Sequence, residues 1–321
     1  MTARRVVMLS VGIVAIAATA TAARTVGRRA PNDGRPAQAG GADSTRVAGF
    51  LSALGTSDPV ICTMIGDQIG NFWTDEGREA VGRFADAQPG ASLAQDSLQH
   101  QISNEGALRT LVARLDDPNA CVRRAAAKLL EHSSAETSRI AALLSHQSPR
   151  VREAAAYALS DESRKASRAD LERVLRAGHV PEAAMAAWSL GEQGDVAAAP
   201  ALRAALGADD ARTRWAAAHA FGELHTLEQA PPELVRAARS SDQTLTLYAV
   251  RSLAEIHDPA TVEVLAANVD APDARLRLAV VEALGETRSA KAIPALTKAT
   301  RDVDARVRRA ATEALGEVAK D

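Results

Sequence analysis

The sequence predicts an all-α solenoid built from antiparallel helix pairs, and three observations carry that expectation. A phrase returns about every 31 residues, an apolar stripe with helical spacing runs inside each copy, and the apolar content is alanine, leucine and valine with almost no rings. The phrase begins Val122-Arg123-Arg124-Ala125-Ala126-Ala127 and returns from Val151, Thr213, Leu276 and Val307, with weaker copies from Glu182 and Leu245. Numbered from its first residue as zero, each copy places apolar or small residues at 0, 3, 4, 7 and 8, one face of an α-helix. Hydrophobic residues make up 46% of the 321 residues but aromatic residues only 3%, the composition of closely packed helices.

Taken in order, residues 1–23 read as an export signal. Arg4 and Arg5 precede an apolar run from Val6 to Ala18, and Ala18-Thr19-Ala20 and Ala20-Thr21-Ala22 are small-x-small cleavage patterns. Uncut, the stretch Val6 to Ala23 is just long enough to anchor the chain in a membrane. Either outcome places the protein outside the cytoplasm, in a periplasmic or extracellular space. Residues 24–43, rich in Gly, Pro, Ala and Arg without periodicity, read as a disordered tether. Residues 44–104 hold degenerate helical repeats. Thr45 to Leu54 and the segment from Pro59 to Gly66 would form one pair, Glu76 to Ala85 could be a further helix, and 86–104 reads as a loop.

From 105 to 321 the repeats are regular. Between copies a second helical segment often opens with proline, as at Pro200, Pro231-Pro232 and Pro294, which is tolerated in a first turn because the missing amide has no partner there. Gly191, Gly222, Gly285 and Gly316 at position 9 are expected to stop the helices. The phrase Asp-x-x-x-Val-Arg-x-x-Ala-x-x-Ala-Leu-Gly, preceded by Ala-Ile-Pro-Ala-Leu, resembles the HEAT-like repeats of the phycobilisome-lyase type. That resemblance covers about two-thirds of the chain. It implies a right-handed superhelix whose second helices line the concave face.

Two columns are candidates for function. Position 1 carries Arg123, Arg152, Arg214, Arg277 and Arg308, with Asp210, Asp273 and Asp304 four residues before three of them. A bare basic ladder would suit a polyanion. Arginines paired to aspartates of their own or the adjacent turn would instead lock the stack, and the matching period of the aspartates favours this structural ladder. Positions 2 and 6 share the face opposite the buried stripe, and there Tyr157, Trp188, Trp215, His219, Leu247 and Leu278 gather in the middle copies. They form either a protein-binding patch on the concave face or rings laid over neighbouring helices to seal the inner wall.

Cys62 and Cys121 are the only thiols, and export invites a disulfide between them. Regular stacking of the intervening layers would hold them too far apart, whereas looping out 76–104 would let them meet. The seven histidines show no metal-binding cluster, so no metal and no cofactor are expected. Phosphate loops, nucleophile elbows and activated cysteines are absent as motifs. The formal charge is -2, and because residues 1–43 are basic the remainder is the more acidic, which disfavours nucleic acid as a partner.

The expected function is therefore a non-catalytic scaffold or adaptor that grips a protein or peptide segment. The alternatives are enzymes that the resemblance suggests, a bilin lyase or, less in keeping with the charge, a DNA glycosylase. No catalytic residue transfers to this chain by position.

Overall fold

The computed structural model describes residues 44–56 and 102–318. The chain divides into two units, Met1–Ala39 and Gly40–Asp321, and every described residue belongs to the second. The export signal, the tether, the helix expected at Pro59–Gly66, Cys62 and most of the expected loop 86–104 lie outside the described residues.

The described residues are helical, with no strand among them. Among the described residues, helix α1 (Ser44–Gly55) precedes seven pairs. The first helices of the pairs are α2 (Glu105–Arg114), α4 (Thr137–Ala142), α6 (Arg168–Ala177), α8 (Ala199–Ala205), α10 (Pro232–Ala237), α12 (Val262–Ala266) and α14 (Ile293–Ala299). The second helices carry the recurring phrase: α3 (Ala120–Glu131), α5 (Pro149–Ala158), α7 (Glu182–Glu192), α9 (Ala211–Glu223), α11 (Gln243–Ile256), α13 (Ala274–Glu286) and α15 (Ala305–Val318).

Local chemistry starts these helices where the sequence suggests. The backbone N–H of Cys121 donates to Asn119, that of Thr213 to Asp210, those of Thr244 and Leu245 to Asp242, and that of Arg275 to Asp273, so orphan amides of the second helices are satisfied by short polar side chains. Pro200, Pro232 and Pro294 sit in the first turns of α8, α10 and α14.

The second helices form one continuous layer in which each packs on the next from α3 to α15. Their contacts leave little room. In six of the seven copies position 5 is fully covered alanine or valine: Ala127, Ala156, Ala187, Ala218, Val250 and Val281. Position 7 of one helix meets position 9 of the helix before it: a Cβ added to Gly191 would come within 2.5 Å of the Ala220 Cα, and one added to Gly285 within 2.9 Å of the Ala314 Cβ. Buried serines bond across the same seam, Ser189 Oγ donating to the Ala156 carbonyl and Ser252 Oγ to the Ala218 carbonyl.

The expectation that the position 9 glycines stop the helices is thereby corrected. The helices run past Gly191, Gly222, Gly285 and Gly316, and none of these glycines has a positive φ. They are there because the next helix lies against them, and only Gly316, at the end of the array, has nothing within 4 Å.

At the other end, α1 packs directly on α2 and α3 despite the long stretch of sequence between them. Val47, Leu51 and Leu54 are buried, and Asn119 Nδ2 donates to the Gly55 carbonyl at 3.2 Å.

The glycine column separates two effects. Gly191→Ala should destabilise the protein by roughly 1–3 kcal/mol through overpacking, whereas Gly316→Ala should be neutral or stabilising by up to about 1 kcal/mol through helix propensity. Thermal and urea unfolding of the two variants checks this, with opposite signs expected.

Candidate functional site

Three sides of each second helix from α5 to α13 are occupied, by its own first helix and by the second helices before and after it. Among the described residues no further helix packs on the face bearing positions 2, 6 and 10, and that face is the candidate surface of the layer.

The arginines of position 1 are tied to the turns before their own helices. In every one Nη1 donates to two carbonyls in the turn just before its helix: Arg123 to Asp117 and Pro118, Arg152 to His146 and Gln147, Arg214 to Ala208 and Asp209, Arg277 to Ala271 and Pro272, and Arg308 to Asp302 and Val303, all at 2.7–3.0 Å. The remaining nitrogens of three of them reach a carboxylate of the following repeat. Arg152 Nε donates to Glu182 at 2.8 Å, Arg277 Nε to Asp302 at 2.7 Å, and Arg214 Nη2 lies 3.7 Å from Asp242. Asp210, Asp273 and Asp304 instead bond the first amides of their own helices. With both edges engaged, Arg152, Arg214 and Arg277 offer little to a polyanion, whereas Arg123 and Arg308 are held through the turn carbonyls alone.

The aromatic patch is smaller than the sequence suggests, which corrects the expectation for two of its members. Tyr157 is 2% and Trp188 7% exposed, and their rings stack face to face with centroids 5.3 Å apart and planes 1° apart. The Lys128 ammonium lies 5.7 Å from the Tyr157 ring centre and closes the other side. The physical cause is the tight spacing of α5 and α7, which brings the two rings together. Both serve as inner-wall packing.

Trp215, His219, Leu247 and Leu278 remain half-buried on the open face, and Tyr248 joins them. Trp215 is fixed by its indole N–H, which donates to Asp242 Oδ2 at 2.9 Å, and His219 meets Tyr248 edge to face at 6.0 Å. Leu247 and Leu278 rest on the core while keeping part of their surface in solvent.

Beside this apolar strip runs a column that escaped the sequence reading although it shares the same period. Position 10 is Glu192, Glu223, Glu255, Glu286 and Glu317 in five successive copies, each at the last or next-to-last turn position of its helix. Negative charge at a helix C-terminus is the unfavourable placement, because the terminal carbonyls already carry partial negative charge. Five such residues on one edge make a surface suited to positive charge. Two of them, Glu192 and Glu223, meet His219, whose Nε2 lies 3.6 Å from Glu192 Oε1 and 3.7 Å from Glu223 Oε1. Histidine spacing alone shows no metal-binding cluster. Yet His219 and Glu223 are one turn apart on α9, and only the third member comes from another repeat.

At the opposite end of the same face Glu153 is half-buried, and its carboxyl is pushed up to about 7 by burial, with the nearby Glu182 adding to the shift and Arg123, Arg124 and Arg212 opposing it. Arg164, also unanticipated, is buried and caps the end of α3 by donating to the carbonyls of Glu131, Ser133 and Ala135 at 2.9–3.1 Å. Cys121 is buried in the first turn of α3 and is not a free thiol; Cys62 lies outside the described residues.

With this geometry established, comparison with known proteins is direct. Residues 108–184, 172–246 and 231–316 match the family described as HEAT repeats. The chain belongs to the HEAT-repeat family. Among solved structures it is similar to an engineered protein (20% identity, TM-score 0.40, 66% of this chain and 96% of that one). It is also similar to YibA of Escherichia coli (15%, 0.48, 85% and 97%) and to human deoxyhypusine hydroxylase in complex with glycerol (16%, 0.33, 87% and 99%). Likeness at this level transfers no activity to this chain. No curated protein matches the sequence significantly.

The raised Glu153 carboxyl has a consequence for stability. Between the usual value of 4.5 and about 7 the folded chain holds a proton that the unfolded chain releases, so this residue makes the protein less stable as pH rises through that window. Glu153→Gln should therefore be more stable than wild type at pH 8, by about 1 kcal/mol, and nearly equal to it at pH 4.5. Urea unfolding at the two pH values checks the sign.

Proposed function

We propose that this HEAT-repeat protein is a non-catalytic scaffold that holds a segment of another protein on the open face of its second-helix layer. The single observation that carries the proposal is the half-buried strip of Trp215, Leu247, Leu278 and Tyr248 flanked by the glutamate column. A rigid indole and two leucines supply apolar contact at small entropic cost, and the carboxylates select a partner with basic residues beside its apolar ones. Stacked repeats suit such a task because each added layer extends the surface without altering the rest.

The proposed setting is outside the cytoplasm and rests on the N-terminal residues Arg4 to Ala22 read as an export signal. Among the described residues no helix is long and apolar enough to cross a membrane. The same setting favours a bridge between Cys62 and Cys121.

The test is recovery of a partner from the envelope of the native cell by wild type and by the double variant Leu247→Gln, Leu278→Gln. Recovery of the specific partner should fall at least about tenfold, with far-ultraviolet circular dichroism unchanged. Equal recovery by a folded double variant would remove the open face from the account.

A further inference from the structure

We propose that Glu192, His219 and Glu223 form a binding site for one divalent transition-metal cation of the zinc type. The three residues come from adjacent repeats, Glu192 closing α7 while His219 and Glu223 lie one turn apart near the end of α9. One ligand atom from each, His219 Nε2 and one oxygen of each carboxylate, lie within 4.8 Å of one another.

The distances suit a shared ion. Glu192 Oε1 and Glu223 Oε1 stand 3.6 and 3.7 Å from Nε2, too far for either to be a hydrogen bond to that nitrogen. Ligands held at zinc distances around a tetrahedral centre are separated by roughly 3.4 Å. Two of the three edges thus already have nearly the length that a shared metal requires. The third edge, between Glu192 and Glu223, is no longer than 4.8 Å.

Electrostatics points the same way. Glu192 and Glu223 are the final residues of their helices, where the carbonyl ends disfavour an anion and favour a cation. A divalent ion between two such ends offsets both carboxylates and both helix termini at once. The donor set, one imidazole and two carboxylates, suits a borderline cation such as zinc better than calcium or magnesium, which take oxygen ligands in larger number. Support around the ligands is present. The His219 side chain is mostly covered, its Nε2 is shielded from solvent, and the Tyr248 ring meets its imidazole edge to face. Glu192 is exposed, which gives the ion a route in and leaves a coordination position open to water.

The experiment is calorimetric titration of Zn²⁺ into the full chain after dialysis against a chelator, with Mg²⁺ as the hard-cation control. The expected result is one zinc site in wild type, undisturbed by millimolar Mg²⁺ and weakened at least tenfold in both Glu192→Gln and His219→Ala. His225→Ala, which alters an exposed histidine outside the cluster, should bind as wild type does. Because Glu192 is exposed, Glu192→Gln keeps the test valid should the histidine variant misfold. Absence of zinc binding in wild type, or an unchanged affinity in folded Glu192→Gln, would overturn the proposal.

Discussion

Close approach between successive second helices is the constraint from which the rest of the structure follows. Where Gly191 faces Ala220 and Gly285 faces Ala314, even a single Cβ has no room, so the sequence on both sides of the seam is restricted to glycine, alanine and serine. Alanine buries little area per residue, and a core poor in rings gains its cohesion from contact density. Tight spacing also brings peptide carbonyls within reach of the neighbouring helix, which is why Ser189 and Ser252 can be buried there with their hydroxyls bonded.

The turns answer the same constraint from the side. A stack this tight must hold each connection against its own helix, and the arginine forks do so by tying two turn carbonyls to the helix that follows, with Glu182 and Asp302 of the next repeats binding the free edges of Arg152 and Arg277. With three sides of each second helix from α5 to α13 consumed by packing, positions 2, 6 and 10 make the candidate surface. The same spacing decides which of these positions are usable: between α5 and α7 the rings collapse onto each other, while Trp215, Tyr248, Leu247 and Leu278 along α9, α11 and α13 stay partly in solvent.

Much of this was legible in the sequence because each repeat solves the same problem, so its solution is written seven times. The buried stripe, the proline-opened first helices and the position 1 arginines all appear as columns at one period. The partners of those arginines were only half legible, since carboxylates can be read from a sequence whereas backbone carbonyls belong to every residue alike. Glycine was misread because it is common at helix ends, and only the facing Ala220 reveals it as a contact point. Tyr157 and Trp188 were expected on the open face because position alone says nothing of how near the next helix lies. Arg164 sits in a short 3-10 segment outside the repeat phrase, so no period announced its role. The meeting of Glu192 with His219 crosses a repeat boundary, which single-helix spacing does not show.

If nearest-neighbour seams hold the array together, stability should be local in a way that a globular core does not permit. Amide hydrogen exchange measured helix by helix on wild type and Gly222→Ala tests this most directly. The account predicts that protection falls in α9 and α11, which flank the altered seam, while α3 and α15 keep theirs. A uniform loss of protection through every helix would contradict it, because the described repeats would then behave as one indivisible core.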